Sequence, residues 1–133
     1  MGRLHKGDDL LPTLQRICSE LGISQGNVSA IGAVEGARIG YYDQTQRRYE
    51  FLHLSRHLEI LSLMGNVSLK DGKAFVHAHV VLGDESGGAF GGHLAEGTEV
   101  FACEFTIQEL LTETPFRRVM DDPTGLFLWG EVG

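Results

Sequence analysis

At 133 residues, with 42% hydrophobic and 22% charged residues, the chain has the size and composition of a single domain, residues 1–133, that buries a core without disulfides. Its formal net charge of −7 disfavours autonomous DNA binding, because neutralising phosphates supplies most non-specific affinity for DNA. No apolar run is long enough to span a bilayer and no signal-peptide pattern is present, so we expect a cytoplasmic location and no membrane partner.

The first predicted elements are a short strand at residues 3–5 and one long helix. Asp8 is the predicted N-cap of this helix, and Gly22 lies where a left-handed residue ends it. Apolar residues at helical spacing predict one buried stripe, formed by Leu10, Leu11, Leu14, Ile17, Cys18 and Leu21. Cys18 and Cys103 both fall among apolar neighbours, which predicts two buried thiols rather than a disulfide.

After the helix the pattern changes to strands. The predicted strands are residues 26–34, 37–42, 49–54, 57–67, 74–82, 89–94, 99–110 and 126–129. Asp71-Gly72 predicts a tight hairpin between two of them, whereas residues 112–125 are predicted to be mostly loop. One main helix and about seven antiparallel strands predict an α+β fold in which the helix covers a strongly bent sheet.

Strict alternation predicts which side chains share a face of the longer strands. In residues 57–67 it groups Leu58, Ile60, Ser62 and Met64. In residues 99–110 it groups Phe101, Cys103, Phe105 and Ile107. Small residues mark a further part of the sheet, namely Ala30, Gly32, Ala78 and Ala102. Because a single helix cannot cover a long sheet, we expect symmetric self-association.

Three of the six histidines lie within twenty residues of one another. His77 and His79 alternate with apolar residues in a strand, so both imidazoles point to the same face. After a turn rich in glycine and acid, Gly91-Gly92 leads to His93. If the two segments pair, the three imidazoles converge and predict a divalent metal site with one open position, which favours zinc but leaves nickel, copper and iron open. The alternative is a set of histidines that line a sheet or a subunit interface and bind backbone groups.

An enzyme at this site needs a general base beside a metal-bound water. Four carboxylates are candidates by composition, namely Glu59, Glu96, Glu99 and Glu104. Alternation places Glu104 with Val100 and Ala102 rather than with the phenylalanines, which makes it the preferred base or a residue that supports a metal ligand. The alternative for each is a solvated or interfacial carboxylate. The remaining histidines lack convergent spacing and are interpreted as surface residues, namely His5, His53 and His57.

Several segments, in this order, resemble the PPC family, the domain shared by plants and prokaryotes. They are residues 7–11, 29–34, 40–43 and 58–73, His77-Ala78-His79, Gly91-Gly92-His93-Leu94, and residues 122–126. The resemblance implies an α+β fold, a homotrimer, and the description of prokaryotic members as candidate DNA-binding or regulatory proteins.

Two family features bear on partners. In the plant members an AT-hook contacts DNA, and the chain has no Arg-Gly-Arg-Pro core, so with its acidic charge we expect only weak DNA binding by the domain itself. The plant partner-binding motif Gly-Arg-Phe-Glu-Ile-Leu corresponds to residues 56–61, where its second half is retained. Glu59, in the retained half, is therefore predicted as an interface or partner contact. Gly91 and Gly92, in another segment that resembles the family, are predicted as such contacts as well.

Three hypotheses follow. The leading one is a trimeric PPC-domain protein that binds zinc or another divalent metal through His77, His79 and His93 and has a regulatory or binding role. The second is a metal-dependent hydrolase or lyase that acts on a small molecule. The third is a structural interaction module.

Overall fold

The computed structural model describes residues 1–130, so the last three residues of the predicted domain lie outside the described residues. The helix is α1 (Leu10–Glu20). The strands are β1 (Gly2–Leu4), β2 (Gly26–Asp43), β3 (Arg48–Leu54), β4 (Leu58–Lys70), β5 (Lys73–Gly83), β6 (Ala89–Leu94), β7 (Glu99–Glu109), β8 (Arg118–Asp121) and β9 (Leu126–Trp129). Within the described residues, seven strands form one antiparallel sheet with a single helix, which confirms the predicted α+β fold. Across residues 1–130, no helix has the length and apolar content needed to cross a membrane.

The sheet is organised around β2, which has 18 residues. Strand order is β1-β7-β2-β4-β5-β6, β3 pairs with the second half of β2, and β6 returns to pair with β2 through Ile39 opposite Leu94. Two separate strands were predicted at residues 26–34 and 37–42. The chain instead continues as one strand, because register shifts against β7 near Val34 and Gly36 absorb the bend.

The helix contributes one side of the hydrophobic core. Leu10, Leu14 and Cys18 are fully buried, as predicted. The predicted Asp71-Gly72 hairpin also forms, with positive φ at both residues. Two details differ from the prediction. The N-cap is Asp9, since the Asp8 carboxylate instead accepts the His5 backbone N–H. Leu21 is 69% exposed because the helix ends at Glu20. Both cysteines are free and buried, as expected.

The predicted face of β4 is wrong beyond Ile60. The predicted face of β7 is wrong only at Phe101, because Cys103, Phe105 and Ile107 share the core face as predicted. In β4, Ile60 pairs with Leu82 and Ser62 with Val81, so Leu61 is an extra residue. In β7 the extra residue is Phe101, which lies between the paired positions Val100 and Ala102. An inserted residue reverses the side-chain alternation after it. Leu63, Val100 and Cys103 are therefore buried, whereas Met64 and Phe101 are exposed.

A second sheet contains one predicted strand and one that was not predicted. β9 is the strand predicted at residues 126–129, whereas β8 lies where mostly loop was predicted. Strands β8 and β9 form a two-stranded antiparallel hairpin, and Arg118 pairs with Trp129 in its register. The Leu69 backbone N–H donates to the Phe116 carbonyl at 2.9 Å, which fastens the hairpin beside the end of β4. With only four residues, β8 is too short to give a clear alternation signal.

Candidate metal centre

Strands β5 and β6 bring three histidines together on the outer face of the sheet. His77 and His79 lie two residues apart on β5, and His93 on β6 pairs directly with His79. One ring nitrogen from each residue lies within 4.8 Å of the other two. In a zinc site with Zn–N bonds of about 2.0–2.1 Å, the ligand nitrogens lie closer to one another than 4.8 Å. Small rotations of the histidine side chains would bring the three nitrogens to that spacing.

Gly92 determines how closely β6 approaches β2. A Cβ atom at position 92 would lie 2.7 Å from the Gly40 carbonyl oxygen, which is too short for a real contact. Because Gly40 pairs with His93, this close approach also positions the third imidazole. Gly91 is less restricted, since a Cβ atom there would meet the Val80 carbonyl oxygen at 3.4 Å.

Burial keeps two of the imidazoles neutral. It lowers the pKa of His77 to about 4, with further contributions from the neighbouring His93 and the positive charge of Arg118. Burial likewise lowers the pKa of His93 to about 4, assisted by His79 and Arg118. A neutral imidazole has the free lone pair that metal ligation requires, so neither ligand needs to lose a proton at pH 7.

A buried nitrogen without a partner fits the same interpretation. Among residues 1–130, Nδ1 of His93 is buried and has no hydrogen-bond partner. Buried polar atoms in folded proteins are nearly always satisfied, and a metal ion would satisfy one here. The His77 and His93 rings lie 5.0 Å apart and the Tyr49 ring lies 4.9 Å from His93, so the cluster is bordered by an aromatic wall. The donor set fits a divalent ion with one open coordination position.

A cavity of about 270 Å³ opens beside this cluster. His77 and His93 form part of its wall, together with Tyr49 and Phe127. Arg118 completes the wall and is 9% exposed. No role at the site is predicted for Arg118 from the sequence. The available signal is the arginine pair Arg117-Arg118 between the apolar residues Phe116 and Val119.

The structure does not bring the preferred base to the histidines. Glu104 is exposed on β7, opposite Arg3 and Ile31, and two strands (β2 and β4) separate β7 from β5. The predicted grouping with Val100 is also wrong, because the bulge at Phe101 puts Val100 on the buried face.

The other candidate carboxylates are dispersed. Glu59 is exposed on β4 opposite Gly83, and Glu99 begins β7 opposite Gly36. Glu96 is exposed in the loop after β6 and borders a second cavity, beside α1, that His93 also lines. The remaining histidines are all exposed and lie outside the cluster, namely His5, His53 and His57.

Comparison with known proteins places this arrangement in a family. Residues 1–111 match the model of the Plants and Prokaryotes Conserved (PCC) domain. The chain belongs to this family. A PPC protein from Pyrococcus horikoshii shares 42% identity and a TM-score of 0.92, over 98% of this chain and 90% of that one. A metal-containing protein from Archaeoglobus fulgidus shares 50% identity and a TM-score of 0.91, over 97% of this chain and 90% of that one.

Other proteins similar to this chain have different descriptions. A candidate DNA-binding protein from Ralstonia eutropha JMP134 shares 25% identity and a TM-score of 0.87, over 98% of this chain and 89% of that one. The bifunctional protein GlmU of Synechococcus sp. (strain JA-3-3Ab) is 35% identical over 124 residues, which is 92% of this chain. The PPC domain described here spans only 19% of the length of that curated relative.

Proposed function

We propose that this PPC-domain protein binds one divalent metal ion per chain, zinc in the first instance, through His77, His79 and His93. The observation that carries the proposal is the convergence of three ring nitrogens within 4.8 Å of one another. The lowered pKa values of His77 and His93 support it, because both imidazoles are available as neutral ligands at pH 7. The metal-containing description of the Archaeoglobus fulgidus relative, at 50% identity, points the same way.

We further propose that the chain, a single domain over residues 1–133, assembles as a homotrimer through the outer face of the sheet. Ile31, Leu61 and Met64 are 59%, 55% and 72% exposed and line one wide groove. Such contiguous apolar surface is typical of an interface. Glu59 and Gly91 are exposed and remain proposed partner contacts. Light scattering at three times the chain mass would support the assembly, and a monomeric mass at micromolar concentration would contradict it.

The proposed cellular role is a regulatory or binding one in the cytoplasm, with weak DNA affinity. One similar structure is that of a candidate DNA-binding protein, but this chain has 18 acidic and 11 basic residues. A net negative charge repels phosphate, which predicts weak DNA binding, and the affinity that local cations supply should fall as salt rises. A gel-shift titration in salt measures this, and tight binding above 0.2 M salt would contradict it.

A metal-dependent hydrolase or lyase is the second candidate function. The cavity beside His77 and His93 favours it, since a substrate has room next to the open coordination position. Within residues 1–130, however, no carboxylate lines that cavity to act as a general base. Binding therefore has more support than hydrolysis.

The decisive experiment measures bound metal in untagged protein. We expect about one metal ion per chain after dialysis and loss of the ion in His79→Ala. Loss of a residue that only supports a ligand weakens metal binding by up to roughly 100-fold, and loss of one of the three ligands should weaken it more. His53→Ala is the matched control, because His53 is exposed on β3 outside the cluster. Full metal content in His79→Ala, or none in the wild-type protein, would overturn the proposal.

A further inference from the structure

Arg118 is a buried cation without a counter-charge. Its guanidinium donates hydrogen bonds to Ser68 Oγ at 2.9 Å, Asn66 Oδ1 at 2.7 Å and the Phe127 carbonyl at 2.9 Å. All three acceptors are neutral, and no carboxylate in residues 1–130 forms an ion pair with it. A guanidinium has five N–H donors, so two remain for a ligand. A buried charge is costly unless it is paired, which makes this site receptive to an anion.

The cavity that Arg118 lines is positively charged although the protein is acidic. Arg47, Arg48 and Lys70 also line it, and none of its lining residues within the described range 1–130 is Asp or Glu. Arg47 is held there by hydrogen bonds to the Asp122 and Pro123 carbonyls, and Arg48 pairs with Glu50 at 2.7 Å. Arg47, Lys70 and Arg118 form no ion pair within residues 1–130, so in a chain of net charge −7 these three cations give the cavity a local field that attracts anions.

The metal cluster borders the same space. His77 and His93 form part of the cavity wall, so a divalent ion bound by the histidines would add its charge to that of Arg118. Two cationic groups side by side repel each other unless an anion lies between them. An oxyanion that reaches both groups would remove this repulsion and satisfy the remaining N–H donors of Arg118.

The rest of the wall is apolar and aromatic. Tyr49, Phe75, Leu126 and Phe127 line the cavity, and the Lys70 ammonium lies 3.9 Å from the centre of the Phe127 ring. A volume of about 270 Å³ is close to the lower end of ligand pockets, which run from about 300 Å³. The occupant therefore has the size of a small metabolite and an apolar body.

We infer that this cavity is a binding site for a small organic oxyanion, a carboxylate or phosphate on an apolar or aromatic body, recognised by Arg118. The contribution of a bound metal ion to the affinity for the anion rests on the proposed function above, whereas the contribution of Arg118 does not. Arg118 and the apolar wall at Leu126 and Phe127 belong to the β8–β9 hairpin, beyond residues 1–111 that match the family model. The hairpin therefore supplies the recognition elements for the anion.

Calorimetric titration of the full chain, with and without zinc, tests the inference. The probes are benzoate and phenyl phosphate, with benzamide as the uncharged analogue. We expect at least one oxyanion to bind tenfold or more tightly than benzamide, and the stronger of the two identifies the head group. If neither anion exceeds benzamide while the histidines hold their metal, the anion site is wrong and the metal proposal stands.

Variants assign the binding to Arg118. Arg118→Gln should weaken oxyanion binding by roughly 10- to 100-fold, because charge-assisted hydrogen bonds are lost. Arg3→Gln, an exposed arginine on β1, should leave it unchanged. Unchanged affinity in Arg118→Gln would overturn the assignment. Should that variant not fold, Lys70→Met provides the test, with an expected two- to fivefold loss, and no loss there would also count against the site.

The metal-free His79→Ala protein separates the two proposals. His79 does not line the cavity, so Arg118 and its neighbours remain in place in this variant. We expect oxyanion binding that is weaker than in the zinc-loaded wild type but still lost on adding Arg118→Gln. Binding that no longer depends on Arg118 in this background would overturn the role given to that residue.

Discussion

The two faces of β5 differ sharply although they alternate along a single strand. Residues on the inner face belong to the core and are at most 2% exposed, namely Val76, Ala78, Val80 and Leu82. Residues on the outer face are half-buried or exposed and include the metal-ligand candidates, namely Phe75, His77, His79 and Val81. Since side chains alternate with a period of two, residues that stabilise the core alternate along β5 with residues that are candidate metal ligands. Substitutions on the two faces should therefore have different consequences.

The largest effect is expected on the inner face. Leu82→Ala removes a fully buried side chain and should lower the free energy of unfolding by about 2–5 kcal/mol, because it leaves a cavity in the core. Its neighbour Val81 is 42% exposed, so Val81→Ala should cost less than about 1 kcal/mol. Denaturant unfolding of the two variants measures the difference. Equal losses would contradict the division of β5 into two faces.

Adjacent glycines on β6 provide an intermediate test. Gly92→Ala would place a Cβ atom 2.7 Å from the Gly40 carbonyl oxygen and should cost about 1–3 kcal/mol of unfolding free energy. Because relief of the clash moves β6 away from β2, it should also weaken metal binding by His93. Gly91→Ala is the matched control, with ordinary contact distances. Tight metal binding in Gly92→Ala would show that the approach of β6 to β2 does not position His93.

The sequence was sufficient to predict the period-two strands and the meeting of the β5 and β6 histidines in space. Alternation placed His77 and His79 on one face, and the glycine-led return brought His93 opposite. The assignment of faces by strict alternation is wrong at Leu61 and Phe101, because a single inserted residue at each position reverses the alternation in β4 and β7. A bulge is determined by pairing with neighbouring strands, and a local pattern contains no record of that pairing.

Long-range packing explains the other failures. Glu104 was selected by alternation within its own strand, but its distance from the histidines depends on strand order, which places β2 and β4 between them. Arg118 was overlooked because its acceptors, Asn66 and Ser68, lie about fifty residues earlier in the chain. Its place in the cavity wall depends on the position of the β8–β9 hairpin beside β4, which is a long-range contact.

The smallest expected effect is the part of the pH dependence of the metal-free protein that His77 and His93 supply. With a folded pKa of about 4 and an ordinary value of 6.5, His77 and His93 bind more protons in the unfolded state than in the folded state between these two values. Their contribution to stability is therefore complete above pH 6.5 and is lost as the pH falls to about 4. Because both side chains are partly exposed, the loss should be only on the order of 1 kcal/mol per histidine.

The histidine share of this dependence is measured as the difference between variants, since carboxylates titrate in the same range. Unfolding free energies at pH 7 and pH 5 should differ less in metal-free His77→Gln than in the wild type, whereas exposed His53→Gln should match the wild type. No inner-face residue of β5 titrates, so Leu82→Ala should lower stability equally at both pH values. If the unfolding free energy of His77→Gln changed between pH 7 and pH 5 as much as that of the wild type, burial would not be holding His77 neutral. His77 would then lack the support that its lowered pKa gives to metal binding at pH 7.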